Sequence, residues 1–480
     1  MNSAEFKRHG HGLVDWIADY LDHPERYPVL SQVSPGDVRA ALPRSAPESG
    51  QPFDAIFADV ERVLVPALTH WNNPGFLAYF ATSSSPVAIL AELLAAALNQ
   101  QAMLWRTSPA ATELEEVSLS WLRQLLGLPD AFEGVIYDTA SVSTLHALAA
   151  AREAVVPGIR QHGLSARPDV PRLRVYCSEH AHSSVDKAVI LLGLGHDALC
   201  RIPVDDAFVM RVDQLVAAID RDSAEGVLPL AVVATIGTTS TTSSDPVNEI
   251  AAICRARNVW LHVDAAYAGV AAMLPEHRRH FTGWERADSL VVNPHKWLFV
   301  PVDLSAFYCR RMDVVRRAFA LVPDYLQTPD TERGARNLMD TGIQLGRRFR
   351  ALKLWMVLCE FGATGVRDVL ARHIALAHRF AAWVDAHPDF ERVAPAPFSV
   401  VCFRARPAAV ADDQVDALNE RLLADVNASG QVFLSHTRLN GAFVLRLAIG
   451  HLGTTEEHVG RAWELLQRSL APATQTILLR

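Results

Sequence analysis

The chain has 480 residues, half of them hydrophobic, and its 45 basic and 53 acidic side chains give a formal net charge of −8. This length exceeds what one hydrophobic core usually fills, so two or three domains are expected. The mild negative charge comes without a basic block, which argues against a nucleic acid partner.

Cysteine usage and apolar stretches indicate the compartment. The six cysteines are scattered with no CxxC pair, which is typical of a reducing compartment. The first sixteen residues are interrupted by charges and histidines, so they contain no signal-peptide core. The apolar stretch Pro86 to Leu98 contains Glu92 and is too short to span a bilayer. A soluble, cytoplasmic protein with no membrane partner is therefore predicted, and no metal site is expected.

The N-terminal segment, residues 1–85, is predicted to consist of helices separated by proline-rich turns. Prolines recur there about every ten residues or fewer, so a self-sufficient core is not expected. Such a segment packs on a neighbouring surface, and in a homodimer that surface often belongs to the partner.

Residues 86–365 are predicted to form a large α/β domain. Ser108-Pro109 opens a helix that Gly127 closes, and a second helix is predicted over Leu345 to Phe361. Helical stretches alternate with continuous apolar runs, a pattern typical of a mainly parallel sheet covered on both faces. The runs are Arg174 to Cys177, Leu228 to Ile236, Val259 to Val263, Ser289 to Val292 and Leu304 to Tyr308. Residues 366–480, with strand-like stretches at 398–403 and 443–449, are predicted to form a small α+β domain.

Two charged residues follow neighbouring predicted strands, where ligands bind in this architecture. Asp264 ends one strand in HVDAAYAG, and Lys296 follows another in NPHKW. A buried carboxylate and a lysine so placed suit a cofactor with a ring nitrogen to protonate and an aldehyde to capture. Each residue alone is more simply interpreted as a turn former or a solvated strand end.

Other strand ends provide candidates for the rest of such a cofactor. Thr139, Ala140 and Ser141 precede a predicted helix and offer hydroxyls and backbone N–H groups to a phosphate, although an ordinary helix cap is the simpler interpretation of that stretch alone. Thr239 lies in a hydroxyl-rich turn after another strand. His182 follows the strand that ends at Cys177 and is placed to lie over a planar ring, with a core histidine as the alternative.

Read together, these stretches resemble the group II pyridoxal-phosphate decarboxylases, in particular the aromatic L-amino-acid decarboxylase branch. The similarity extends over nearly the whole chain in the same order. Its blocks are HWNNPGFLAYF, SPAATELE, TASVSTLHALAAAR, AHSSVDKA, VVATIGTT, HVDAAYAG, NPHKW and LGRRFRALKLW.

The resemblance implies a fold type I, aminotransferase-like large domain, a small C-terminal domain and an obligate homodimer that binds pyridoxal 5'-phosphate. It makes Lys296 the Schiff-base lysine, Asp264 the partner of the ring nitrogen, and His182 a residue stacked on the ring that also contacts the substrate carboxyl. The further cofactor contacts that it implies are Thr139, Ala140, Ser141, Thr239, Asn293 and His295.

The resemblance also implies a substrate pocket around Trp71, Tyr79, Phe80 and Thr82, whose aromatic character fits an aromatic substrate. Without the family, core packing is the simpler interpretation of Tyr79 and Phe80. Arg446 matches an arginine near the site in relatives, with a surface salt bridge as the alternative.

One departure from the family falls in a predicted mobile loop, Val322 to Gly342. In the animal enzymes this lid has a tyrosine that protonates Cα after carbon dioxide leaves, and alignment on LGRRFRALKLW places Leu338 there. Leucine cannot donate a proton, and Tyr325 is the loop's only tyrosine. In relatives with phenylalanine there, the outcome is oxidative deamination to an aldehyde.

The sequence therefore predicts decarboxylation of an aromatic L-amino acid to its amine, with an aromatic aldehyde synthase as the alternative. A transaminase or lyase on the same fold, and a catalytically silent cofactor-binding protein, are the other hypotheses. The presence of Lys296, Asp264 and His182 together argues against the silent protein. The particular substrate is left open because a few pocket side chains decide it.

Overall fold

The structure of the chain, a computed structural model, describes residues 1–321, 330 and 334–478. Tyr325 and most of the predicted lid loop lie outside the described residues. The chain divides into two compact units, one of residues 82–375 and 394–400 and the other of residues 1–81, 376–393 and 401–480. The N-terminal segment thus groups with C-terminal residues, and the predicted division at residues 85 and 365 stays a prediction.

The unit of residues 82–375 contains a mixed sheet of seven strands in its described part, in the order β2-β8-β7-β6-β5-β3-β4. β3 to β7 pair in parallel, whereas β8 is antiparallel to both β7 and β2. The strands are β2 (Glu133–Tyr137), β3 (Leu173–Ser178), β4 (Leu199–Ile202), β5 (Leu228–Thr235), β6 (Trp260–Asp264), β7 (Ser289–Val292) and β8 (Ser305–Cys309). The predicted mainly parallel sheet is confirmed, and β2 and β4 are the strands of this sheet that the sequence analysis missed.

The α-helices of this unit lie before, between and after its strands along the chain. The α-helices are α4 (Pro86–Leu98), α5 (Pro109–Leu126), α6 (Ala140–Val155), α7 (Ile159–His162), α8 (Ser184–Leu191), α9 (Val212–Ala224), α10 (Val247–Arg257), α11 (Pro294–Trp297) and α12 (Met312–Phe319). α6 packs against the sheet through the fully buried alanines Ala147, Ala150 and Ala151, whose small side chains permit a close approach. As predicted, α5 ends at Gly127, which has a positive φ of 74°.

The helix predicted over Leu345 to Phe361 begins later than expected. α13 (Ala351–Ala386) starts at Ala351 and contains a kink at Gly362, where φ is 58°. Among the preceding residues, Arg347 forms a buried ion pair with Glu115, and Arg350 forms an ion pair with Asp303.

The other unit has a five-stranded sheet in its described part, in the order β1-β11-β12-β10-β9. Its strands are β1 (Phe76–Leu77), β9 (Phe390–Arg392), β10 (Val400–Ala405), β11 (Phe433–Leu439) and β12 (Ala442–Ala448), and its remaining helices are α1 (Ser3–Asp22), α2 (Asp37–Ala41), α3 (Phe53–Asp59), α14 (Val415–Ala428) and α15 (Glu456–Leu478). β1 pairs in parallel with β11, so the N-terminal segment adds a strand to the C-terminal sheet of the same chain.

No helix in the described part of the chain combines the length and the apolar character that a membrane span requires.

Candidate active site

The carboxyl ends of four parallel strands meet at one edge of the seven-stranded sheet. Thr235, the last residue of β5, lies opposite Asp264, the last residue of β6, and Asp264 lies opposite Val291 in β7. β3 pairs with the other side of β5. The loops that leave these strands contain His182, Thr239 and Lys296, so strand pairing brings the sequence-predicted candidates to one edge.

Asp264 is a buried carboxylate, with 6% of its surface exposed. Its Oδ1 accepts the backbone N–H of Ala266 at 3.0 Å. Among the described residues Oδ2 has no hydrogen-bond donor. A buried carboxylate is stable only with a cation or further donors, so Asp264 is suited to bind a positively charged ring nitrogen.

His182 lies in the turn between β3 and α8, where its Nδ1 accepts the backbone N–H of Ser184 at 3.1 Å. The neutral ring therefore has its proton on Nε2. His182 is exposed in the described chain, and its pKa is lowered, first by partial burial of the ring, while Asp264 raises it and Lys296 lowers it. Since both charges act on this imidazole, the structure brings the three predicted catalytic residues together.

Lys296 lies in the one-turn helix α11, directly after β7, and is half-buried. The preceding residue, His295, accepts the backbone N–H of Leu304 on Nδ1 at 3.0 Å. Burial, followed by the charge of Lys296, lowers the pKa of His295 to about 4. His295 is therefore neutral near pH 7 and does not repel the ammonium group beside it.

The predicted phosphate residues form the start of α6. Thr139 is the N-cap residue but makes no side-chain capping hydrogen bond, so the interpretation of this stretch as an ordinary side-chain cap does not hold. The carbonyl of Thr139 accepts the N–H groups of Val142 and Ser143. The N–H groups of Ala140 and Ser141 have no acceptor in the described part of the chain, which is the arrangement that binds an anion at a helix start.

Thr239 and Asn293 lie at the same edge. Thr239 is exposed in the turn after β5. Asn293 is buried, and its backbone N–H donates to the carbonyl of Ala266 at 3.0 Å, which joins the loop after β6 to the loop of Lys296. Its Oδ1 is buried without a hydrogen-bond partner among the described residues.

Sequence reasoning assigned no role to three polar residues beside this edge. His262 is buried two residues before Asp264 on the same face of β6, with Ser289 Oγ 2.9 Å from its Nδ1, and burial lowers its pKa to about 4. Asp138 and Arg350 form an ion pair directly before the phosphate candidates. His262 and Arg350 could have been found from the sequence, because they lie within the family-like blocks HVDAAYAG and LGRRFRALKLW.

Three of the predicted pocket residues belong to the other compact unit. The Trp71 and Tyr79 rings are stacked with centroids 5.8 Å apart, and Tyr79 is 53% exposed, so it is not a core residue. Arg446 is buried, its guanidinium lies 4.7 Å from the centroid of the Phe80 ring, and it donates to the Tyr79 carbonyl. The alternative of a surface salt bridge for Arg446 is therefore wrong. Thr82 is half-buried at the start of the unit that holds Lys296.

Leu338 is buried, with 2% of its surface exposed, in a single 3₁₀ turn, Leu338–Thr341. The next residue, Met339, donates its backbone N–H to the carbonyl of Met103 at 3.2 Å. The position aligned with the lid tyrosine therefore holds an apolar side chain that is packed into the protein.

Comparison with known proteins gives the family of this chain. The sequence profile described as the pyridoxal-dependent decarboxylase conserved domain matches residues 35–406. The chain belongs to this family. The predictions of pyridoxal phosphate as the cofactor and of an amino-acid decarboxylase as the enzyme class are confirmed.

Relatives of two activities are similar over their full length. The chain is 41% identical to the aromatic-L-amino-acid decarboxylase of Sus scrofa over 477 residues, covering 97% of this chain and 96% of the relative. It is 39% identical to the phenylacetaldehyde synthase of Arabidopsis thaliana, again over 97% and 96% of the two chains. The Oryza sativa TDC, solved with PLP and tryptamine, superposes with a TM-score of 0.94 at 36% identity and 99% coverage of both chains. The predicted fold type I is confirmed.

The residues at the sheet edge fit this cofactor. The open N–H groups at the start of α6 suit its phosphate, and the buried Asp264 carboxylate suits its ring nitrogen. The buried, unpartnered Oδ1 of Asn293 offers a further polar contact in the same loop as Lys296.

Proposed function

We propose that the protein removes the carboxyl group of an aromatic L-amino acid as carbon dioxide and releases the corresponding amine. The observation that carries this proposal is the convergence of Asp264, His182 and Lys296 at the carboxyl ends of β6, β3 and β7. The enzyme class is that of the family, and the full-length relatives named above act on aromatic substrates. We also propose that the protein is a homodimer and that it is located in the cytoplasm.

Bound pyridoxal phosphate supplies a protonated pyridine ring that takes up the electron pair left on Cα when carbon dioxide departs. Asp264 holds the proton on the ring nitrogen through its buried carboxylate. Lys296 Nζ would hold the cofactor as its covalent anchor. The N–H groups of Ala140 and Ser141 bind the phosphate and fix the orientation of the ring.

His182 is the residue that we propose for orienting the substrate carboxyl group. Its Nδ1 is occupied by the Ser184 N–H, so the opposite nitrogen, Nε2, presents the proton. The lowered pKa keeps the ring neutral near pH 7, and a neutral flat ring can lie against another ring without charge repulsion.

An aromatic aldehyde synthase is the second candidate. It is supported by the presence of Leu338 at the position where a lid tyrosine is expected, because leucine cannot protonate Cα. In that reaction the amino acid, oxygen and water give the aldehyde, carbon dioxide, ammonia and hydrogen peroxide. The similarity to the Arabidopsis synthase is compatible with it.

A product balance distinguishes the two reactions. Purified, cofactor-loaded protein is incubated with a panel of aromatic amino acids, and carbon dioxide, amine, aldehyde and peroxide are measured in the same sample. Amine equal to carbon dioxide supports the decarboxylase, and aldehyde with peroxide supports the synthase. The Lys296→Ala variant is expected to release no carbon dioxide, whereas the exposed Lys187→Ala is the matched control. Absence of carbon dioxide from the wild type with every amino acid contradicts both candidates.

The homodimer is supported by the surface of α1 (Ser3–Asp22). This twenty-residue helix has no buried residue, and its Phe6 and Val14 side chains are 63% and 45% exposed. One side of α1 contacts α3 through the ring pairs His9–Phe53 and Trp16–Phe57, and exposed apolar side chains such as Phe6 and Val14 are typical of an interface between subunits. Light scattering after size-exclusion chromatography is expected to give twice the chain mass, and a monomer for the variant Phe6→Glu with Val14→Glu.

The cytoplasmic location is supported by the cysteines. Cys177, Cys254 and Cys309 are buried thiols, and burial raises the pKa of each to about 12. Such thiols are unreactive and need no oxidising compartment. Fractionation of the source cells tests this location.

A further inference from the structure

Arg350 lies between two loops of the candidate site. Its Nε and Nη2 donate to the two carboxylate oxygens of Asp303 at 2.9 and 3.2 Å. Its Nη2 also lies 2.5 Å from Oδ1 of Asp138, as a charge contact rather than an aligned hydrogen bond. The guanidinium side chain is 8% exposed, whereas the two carboxylates are about one quarter exposed. One buried cation thus bridges two acidic residues from distant parts of the chain.

Each of these acidic residues adjoins a proposed cofactor-binding loop. Asp138 directly precedes Thr139 and the start of α6, and we call residues 138–141 the phosphate turn. Asp303 directly precedes Leu304, whose N–H donates to His295 beside Lys296, and we call residues 293–304 the lysine loop. Arg350 therefore connects the phosphate turn with the lysine loop.

Two neighbouring hydrogen bonds also hold the phosphate turn and the start of α6 in place. Gln344 Nε2 donates to Oδ2 of Asp138 at 2.7 Å, so both oxygens of this carboxylate are held. The hydroxyl groups of Ser143 in α6 and Ser305 in β8 lie 2.9 Å apart. These contacts fix the start of α6 against the strand that follows the lysine loop.

Asp138 is negatively charged and lies beside the proposed phosphate site, so its charge must be neutralised before an anion can bind there. A carboxylate directly before the start of α6 repels the phosphate group that the N–H groups of Ala140 and Ser141 are open to bind. The pKa of Arg350 is raised, since Asp303 and Asp138 more than offset the effect of burial, so the side chain keeps its positive charge. Arg350 neutralises the repulsion that Asp138 would otherwise exert.

We propose that Arg350 is a positioning residue that holds the phosphate turn and the lysine loop in one arrangement and neutralises Asp138, so that the turn can bind the cofactor phosphate. This inference rests on the proposed function, because it needs both loops to bind pyridoxal phosphate. Arg350 itself acts through Asp138 and Asp303.

The test measures the affinity for pyridoxal phosphate. The dissociation constant is obtained by titrating protein stripped of cofactor with pyridoxal phosphate and following the visible absorption of the bound form. Arg350→Gln is expected to raise it roughly tenfold to a hundredfold, by analogy with the effect of replacing residues that orient metal ligands. At saturating cofactor the KM for the amino acid is expected to stay near the wild-type value, because Arg350 is assigned no contact with the substrate.

Matched variants distinguish positioning from general damage. Arg348→Gln is the control, because Arg348 is 60% exposed and pairs at 2.8 Å with Glu92. Arg350→Lys keeps the charge without the two-pronged contact and is expected to give an intermediate affinity. Adding Asp138→Asn to Arg350→Gln is expected to recover part of the affinity, because the repulsion is removed.

The result that overturns the inference is wild-type cofactor affinity in Arg350→Gln, or an equal loss in Arg348→Gln. If Arg350→Gln does not fold, as judged by far-ultraviolet circular dichroism, Arg350→Lys replaces it. That variant is expected to bind pyridoxal phosphate more weakly than the wild type because it loses the two-pronged contact with Asp303, and wild-type affinity contradicts the positioning argument. Failure of the wild type itself to bind the cofactor would instead refute the proposed function.

Discussion

Replacing Asp264 by asparagine is the most direct test of the proposed chemistry. Asparagine has nearly the same shape and its Oδ1 can still accept the Ala266 N–H, so the loop after β6 is expected to keep its structure. It has no negative charge with which to hold a proton on the cofactor ring. A hydrogen bond to a charged group contributes about 1.5–3 kcal/mol, and water cannot replace it where the side chain is 6% exposed. At about 1.4 kcal/mol per tenfold change in rate, kcat is expected to fall roughly 10- to 150-fold.

The assay is carbon dioxide release at saturating pyridoxal phosphate and amino acid. Asp288→Asn is the matched control, since Asp288 is a partly buried aspartate at the opposite end of the same sheet, where it accepts the Leu261 N–H at 2.9 Å. This control is expected to keep the wild-type kcat. An Asp264→Asn enzyme that binds the cofactor and retains the wild-type kcat would refute the assignment of Asp264 to the ring nitrogen.

Three further predictions concern pH, stability and product. Because the pKa of His182 is lowered from 6.5, the ring is neutral at pH 7 and gains its charge on acidification, so kcat/KM is expected to fall as the pH drops through a value below 6.5. His182→Gln should remove this acid limb, and an unchanged profile contradicts the role. Arg347→Met leaves Glu115 buried without the cation that lies 2.7 Å away, so the free energy of unfolding in urea is expected to fall by about 3–5 kcal/mol, and Glu115→Leu in the same chain should recover most of it. Leu338→Tyr is expected to overpack a buried site and lower the stability by about 1–3 kcal/mol, measured by thermal unfolding, without changing the ratio of amine to aldehyde. A shift toward amine would show that residue 338 reaches the reacting carbon.

Much of the fold could be predicted because its signals are local. The runs at Ser289–Val292 and Leu228–Thr235 are continuous apolar stretches, which is how a strand covered on both faces appears in a sequence. β2 (Glu133–Tyr137) was missed because it begins with Glu133 and Gly134, which are rare in strands. β4 (Leu199–Ile202) is a short edge strand that includes Arg201, so its apolar signal is weak.

The candidate site could be predicted to the extent that its residues follow strands. Asp264, His182 and Lys296 each lie at or just after the end of a strand, and parallel pairing necessarily brings such ends to one edge. The contacts of Arg350 with Asp138 and Asp303 could not be predicted, because these residues are 212 and 47 positions away from it and nothing local indicates which charges will meet.

The sequence by itself determined five of the seven strands of the large sheet, the strand ends where the candidate site residues lie, and the family. These follow from short-range patterns of apolar, small and charged residues, which act within a few positions along the chain. Only the tertiary structure decided that Leu338 is buried, that β1 joins the C-terminal sheet of its own chain, and that Arg350 bridges two loops. Those outcomes depend on packing and charge between residues far apart in the sequence, where many pairings satisfy the same local pattern and the whole fold selects one.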